Sequence, residues 1–366
     1  MSGFSSIRDA ALKPIAEKVD AGERLSAEDG RTLFRTADLL GVGVLANRAR
    51  EARHGNKTFF NQNRHINPTN VCVAHCRFCA FGRSAKADGA YEFSIHEVVE
   101  KARSARDAGA RELHIVGGLH PELPLDWYLD MLRAVKEGCP EVHLKAFTAV
   151  EVDYFADLSG LPIEEVLSQL MKAGMDSMPG GGAEILSPRV HKLICQNKTT
   201  GEKWLEIHRM AHGMGLKSNC TMLYGHVETD EERVDHLIKL RTLQDETGGF
   251  QAFVPLVFHP ENTRLSHIQM ASGLVDLRVI AASRLMLDNI PHIKAYWIML
   301  GIKTAQVALS FGADDLDGTV VEEKIVHDAG AESPQELSRD ELIRIIQAAG
   351  REPVERDTVY NVLEHH

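Results

Sequence analysis

The chain has 366 residues, 44% of them hydrophobic, and carries a formal net charge of −11. That is enough apolar material for a large core, and an α/β barrel uses a chain of this length as one domain. The acidic balance argues against a nucleic-acid or membrane-surface role, because phosphate-rich partners select basic faces.

No apolar run approaches the roughly 18–20 residues that a membrane helix needs. Residues 1–20 are mixed in charge and lack the apolar stretch of a secretion signal. The expected location is the cytoplasm, where thiols stay reduced.

In chain order, residues 1–60 hold helical patterns such as AEDGRTLFRTADLLGVGVLANRARE and predict an N-terminal helical extension. An alternation of β-rich runs and amphipathic segments follows. The predicted strands are RHINPT (64–69), ELHIVGG (112–118), VHLKAFT (142–148), MDSMP (175–179), KSNCTMLYG (217–225), GFQAFVPLVF (249–258), HIKAYWIML (292–300) and QVALSFGA (306–313). Ser94-x-x-Glu97, Thr199-x-x-Glu202 and Thr229-x-x-Glu232 are capping-box patterns that start the intervening helices. Strand–helix alternation repeated eight times predicts a parallel (β/α)8 TIM-type barrel over residues 61–330, with a doubly wound open sheet as the alternative. Ser338-x-x-Glu341 opens one more helix, so residues 331–362 are expected to form a C-terminal helical extension. Residues 363–366 (LEHH) read as a purification-tag remnant.

Three of the six cysteines fall in one short stretch, CVAHCRFCAF, with Cys72, Cys76 and Cys79 in Cys-x3-Cys-x2-Cys spacing. It directly follows the first predicted strand, on the barrel face that carries chemistry. A disulfide framework does not suit a reducing compartment or thiols as close as Cys76 and Cys79. Zinc asks for four ligands, and only His75, between two of the cysteines, offers itself as the fourth. Three thiolates on a four-iron cube leave one iron open, and the spacing favours that reading over zinc.

Cys72-x3-Cys76-x2-Cys79 resembles the signature of the radical S-adenosylmethionine (SAM) enzymes. The resemblance implies a 4Fe–4S cluster on these cysteines, with SAM on the open iron and Phe78 against the adenine. By the same resemblance Gly117 and Gly118 meet the methionyl amino group. Glu184, in MPGGGAE (178–184), takes ribose hydroxyls or that amino group. Tyr224 and Glu228, in MLYGHVE (222–228), lie beside the adenine. From the residues alone, the paired glycines permit close backbone approach, three glycines can form an anion nest, and Glu228 can equally support its own turn.

His259-Pro-Glu-Asn-Thr-Arg264 is a polar stretch after the sixth predicted strand, and a guanidinium such as that of Arg264 grips a carboxylate with two bonds. His65, Asn67 and Thr148 lie at strand ends. These five are the candidate substrate residues. Cys139, Cys195 and Cys220 read as packing residues. Asp314-Asp-Leu-Asp-Gly-Thr319 is similar to a calcium loop only in its acidic triplet.

The stretches HINPTNVC, CRFCAFGR, HIVGGLHP, HLKAFTAVE, MPGGGAEI, MLYGHVET, QDETGGFQAF and FHPENT extend the resemblance over residues 65–360. They resemble the radical SAM enzymes of menaquinone and deazaflavin-coenzyme biosynthesis, and GADDLDGT (312–319) favours the aminofutalosine synthases among them. That family implies SAM as a consumed co-substrate, 3-[(1-carboxyvinyl)oxy]benzoate as the acceptor, and a reducing partner such as flavodoxin or ferredoxin. No nucleic acid or membrane is implied. A hydrogen-abstracting relative of the same group and a non-catalytic zinc-binding barrel are the alternatives.

Overall fold

The computed structural model describes residues 7–366. Residues 1–6 of the N-terminal extension lie outside the described residues. The rest of that extension folds as helices Lys13–Ala21, Ala27–Arg35 and Leu39–His54, and then departs from expectation with a strand, β1 (Lys57–Asn61).

Seven parallel strands follow in spatial order: β2 (Asn63–Ile66), β3 (Glu112–Ile115), β4 (His143–Ala146), β5 (Ser177–Met178), β6 (Lys217–Tyr224), β7 (Phe250–Val257) and β8 (His292–Ile293). Helices between them cover the outer face. β6 shows why the run reads as nearly continuous apolar sequence: every residue after Lys217 is buried. Ser94, Thr229 and Ser338 cap their helices with the reciprocal bonds predicted for them. At Gly201–Gly213 the cap is Thr200 rather than Thr199, whose hydroxyl donates to Asp153 instead.

The eighth stave is present but not at 306–313. That run begins in the last turn of helix Ile302–Ala308, which buries Ala305 and Ala308 three residues apart, and continues as a turn through residue 312. Of 292–300 only His292–Ile293 is strand, and Trp297–Leu300 is a short helix. The gap between β8 and β2 is spanned by residues 314–321, which contain β9 (Asp315–Gly318). On one side the Ala295 amide donates to the Asp315 carbonyl at 2.7 Å. On the other the His65 amide donates to the Val321 carbonyl at 2.9 Å.

The C-terminal extension begins with the predicted helix, Arg339–Ala348, but continues as β10 (Glu352–Arg356) and β11 (Val362–His365). These join a second sheet in the order β11-β10-β1-β9, so β9 belongs to this sheet while closing the barrel. Residues 363–365 lie within β11, paired antiparallel with β10.

Candidate active site

The loop after β2 is held by backbone bonds on three sides. The Cys72 amide donates to the Arg83 carbonyl at 2.8 Å, the Val73 amide to Leu119 at 3.0 Å, and the Arg77 amide to Ile194 at 2.8 Å. His75 takes a positive φ of 48° to turn the chain between two cysteines. Cys72, Cys76 and Cys79 are free thiols, and all three line one cavity of about 340 Å³. Gly82 sits against two of them: a Cβ there would lie 3.8 Å from the Cys79 sulfur and 4.0 Å from that of Cys72. The Gly82 amide donates to Cys79 Sγ at 3.4 Å.

The three sulfurs are not among the described ligand sets whose atoms all lie within 4.8 Å of one another. A single tetrahedral zinc at about 2.3 Å from each thiolate would draw them to roughly 3.8 Å apart. The sulfurs are not gathered as one tetrahedral ion would gather them, and three thiols of this kind are the donors an iron–sulfur cluster takes. Burial pushes the Cys76 thiol up to about 12, against the opposing pull of Lys198. Metal loading here releases protons, because iron takes the thiolate.

Gly117 and Gly118 also line the cavity, and their small size serves the loop itself. A Cβ on Gly118 would stand 2.2 Å from the Val71 carbonyl oxygen, and one on Gly117 would stand 3.1 Å from that of Thr69. Glu151, unrecognised in the sequence, fastens this segment. Its carboxylate accepts from the Gly117 amide at 2.9 Å and closes a capping box with Thr148. Burial pushes the Glu151 carboxyl up to about 7, although Thr148 and Gly117 donate to it.

The glycine stretch after β5 passes close to β6. A Cβ on Gly180 would lie 2.6 Å from Cys220 Cα, and the Gly180 carbonyl accepts from Thr221 Oγ1 at 2.8 Å. No helix begins directly after it; the next starts at Pro188. Glu184, with φ of 48°, forms a buried ion pair with Lys198. Lys198 lies 5.1 Å from the Phe78 ring centroid. Burial works against the Lys198 ammonium, but Glu184 and Cys76 outweigh it and raise its pKa. Phe78, Glu184 and Thr148 thus line the cavity with the thiols, as does Lys198, which carried no motif.

Deeper in the barrel the lining is polar. His65, His114, Lys145 and Ser177 are register partners across β2, β3, β4 and β5. The His65 and His114 rings stack at 4.5 Å. Lys145 donates to Glu112 at 2.8 Å, and Lys294 pairs with Asp317. Burial holds both imidazoles below their ordinary pKa and therefore neutral at pH 7. His259 reaches the cavity with its Nε2 3.0 Å from the Met299 carbonyl oxygen.

Four predicted site residues stand outside the cavity lining. Tyr224 is buried and donates to Asp276 at 2.8 Å. Glu228 is spent on its own turn, accepting from the Gly225 amide at 2.6 Å and the His226 amide at 2.9 Å and pairing with Arg233. Asn67 donates to the Val116 carbonyl at 2.8 Å. Arg264 is exposed, its amide bonded to the Arg77 carbonyl of the cysteine loop at 2.9 Å. The acidic triplet after Gly312 is taken up in ion pairs: Asp314 pairs with Arg284, Asp315 with Arg356 and Asp317 with Lys294.

A parallel barrel with three free thiols on the loop after β2, all lining one cavity, presents the donor set of an iron–sulfur enzyme. Residues 66–240 match the model of the Radical SAM superfamily, and residues 247–366 match the CofH/MqnC C-terminal region. The chain belongs to the radical SAM superfamily, whose members work with a 4Fe–4S cluster and SAM. It is 50% identical over 358 residues to the aminodeoxyfutalosine synthase of Thermus thermophilus, covering 97% of this chain and 96% of that one. It is 46% identical over 370 residues to the enzyme of the same name from Streptomyces coelicolor, covering 98% of this chain and 96% of that one. A 5-amino-6-(D-ribitylamino)uracil–L-tyrosine 4-hydroxyphenyl transferase of Methanopyrus kandleri is 42% identical over 360 residues, covering 97% of this chain and 96% of that one. Among solved structures, methylornithine synthase aligns with a TM-score of 0.72 at 18% identity, over 93% of this chain and 97% of that one, which shows the fold.

Proposed function

We propose that this enzyme is an aminodeoxyfutalosine synthase, acting on SAM and 3-[(1-carboxyvinyl)oxy]benzoate in the cytoplasm. The observation that carries the reading is identity of 50% with such an enzyme over nearly the full length of both chains. A 4Fe–4S cluster held by the three cysteines of the loop would supply, together with SAM, a 5′-deoxyadenosyl radical for addition to the enol-ether double bond. Rearrangement onto the ring, loss of CO2 and return of one electron complete the product.

Cys72, Cys76 and Cys79 would hold the cluster, with Phe78, Gly117, Gly118 and Glu184 beside SAM. The residues of this chain otherwise bind, orient and exclude water, and no acid–base pair is required for the addition. Leu223, Val254, Leu256 and Phe258 give the cavity an apolar wall suited to an aromatic ring. The electron comes from a small reductant such as flavodoxin or ferredoxin.

The test is anaerobic incubation of the reconstituted enzyme with SAM, dithionite and the enol ether, followed by mass spectrometry. An adduct containing both adenosine and the benzoate is expected. Release of free 5′-deoxyadenosine as the main product would instead assign the hydrogen-abstracting chemistry of its relatives.

A further inference from the structure

We propose that Lys145 and Lys294, with His65 beside them, are the seat for the ring carboxylate of the aromatic co-substrate. The proposal rests on the function just argued and names the contact that orients that substrate.

Barrel interiors of this size are normally filled by layers of branched apolar side chains. Here one layer carries His65, His114 and Lys145 in register, and Lys294 joins it from the end of β8. All four line the cavity. Both lysines are nearly inaccessible, at 4% and 3% side-chain exposure. An ammonium has three donors. Lys145 spends one on Glu112 and Lys294 one on Asp317. Asn61 also donates to Glu112 at 3.1 Å, and Asn63 to Asp317 at 3.3 Å, so each acid has a second partner and need not monopolise its lysine. His65 is buried, and its Nε2 has no hydrogen-bond partner. Unspent donors in a buried layer are costly unless a ligand uses them.

The orientation follows from depth. The thiols stand on the loop beyond the C-terminal end of β2, whereas His65 and Lys145 lie within β2 and β4. The double bond must meet the adenosyl group at the mouth. The ring carboxylate, which the addition and the loss of CO2 from the enol-ether carbon leave untouched, then points inward to the ammonium groups. Arg264 is exposed and does not line the cavity, so it is not assigned that role.

The test pairs the enol ether with 2-phenoxyacrylate, which lacks only the ring carboxylate, and pairs the wild type with E112Q/K145Q. The double variant removes both charges together and avoids a stranded buried carboxylate. A charge-assisted contact predicts that the double variant raises KM for the enol ether roughly 10- to 100-fold while changing that for 2-phenoxyacrylate by less than about threefold. Equal losses with both substrates would overturn the seat. K294Q/D317N is the second variant, with the same expectation. Binding of 3-methoxybenzoate to the unreduced holoenzyme, followed by calorimetry, reports without turnover. If the wild type makes no adenosylated product, the functional reading falls. The seat is then judged by that binding alone: at least tenfold weaker in E112Q/K145Q supports it, and unchanged binding rejects it.

Discussion

Gly118 and the Val71 carbonyl oxygen are in direct apposition: a Cβ on the glycine would stand 2.2 Å from that oxygen. The segment after β3 thereby supports the cysteine loop, and the Gly118 amide adds a 2.9 Å bond to the Thr69 carbonyl. Gly118→Ala is expected to push the loop away and to lose most of the bound iron, read by iron analysis and the cluster absorbance near ~400 nm. Gly117→Ala, with its nearest contact at 3.1 Å, should retain more. Equal iron in all three proteins would separate the loop from its glycine support.

Each of Cys72→Ala, Cys76→Ala and Cys79→Ala should abolish adduct formation and lower iron content. Cys139→Ala is the control, since that thiol is buried away from the cavity lining. A cysteine-loop variant that still turns over SAM would contradict the assignment of its ligand.

Lys198 and Glu184 form a buried pair at the cavity wall. Removing one partner of such a pair costs about 3–5 kcal/mol, because the other charge is left buried. Lys198→Met should therefore destabilise the protein by an amount of that order in denaturant titrations. Lys198→Met combined with Glu184→Leu should recover much of the loss. Additive losses would show that the two side chains do not interact.

His327 faces two acceptors, the Glu323 carbonyl oxygen at 2.7 Å from Nδ1 and the Ser333 carbonyl oxygen at 3.0 Å from Nε2. Only the imidazolium donates through both nitrogens. The bond to the Glu323 side chain, opposed by burial, raises its pKa to about 9. Folding then favours the protonated form, so the contribution is full below the unfolded value of about 6.5 and disappears as pH rises through the folded value. The Tm difference between wild type and His327→Gln should be largest near about pH 6 and vanish by about pH 10. A pH-independent difference would refute the charge argument.

Tyr224→Phe should weaken folding by about 1–3 kcal/mol, since it leaves the buried Asp276 without its donor. It should leave the KM for SAM unchanged. Arg264→Gln should leave kcat/KM for the enol ether within about twofold, as expected of an exposed side chain outside the cavity lining. A tenfold loss in either kinetic constant would return that residue to the site.

The sequence exposed what is periodic or punctuated. The parallel strands β6 and β7 stood out as long apolar runs, Cys72, Cys76 and Cys79 by their spacing, and Gly117 and Gly118 as a pair at a strand end. What it concealed is polar burial. β9 reads as a loop because its core positions are aspartates, each neutralised by a cation more than 20 residues distant in sequence. Helix Ile302–Ala308 passed for a strand because its apolar run is too short for periodicity to decide. Lys145 and Lys198 carried no motif, since their importance comes from acids brought near by the fold. Tyr224 and Glu228 stand outside the cavity lining, because adjacency to a ligand element does not specify which way a side chain faces; for Glu228 the structure has the turn-supporting role that the sequence equally allowed.

The strand that completes the barrel is borrowed from its neighbour. β9 pairs with β1, and Arg356 of β10 grips Asp315 while both are wholly inaccessible to solvent. The last segment of the chain thus acts as a keystone, set far from the reacting atoms yet bearing on the wall that presents Asp317 to Lys294. Loss of Arg356 would strand Asp315 as a buried, unpaired carboxylate within the strand that closes the barrel.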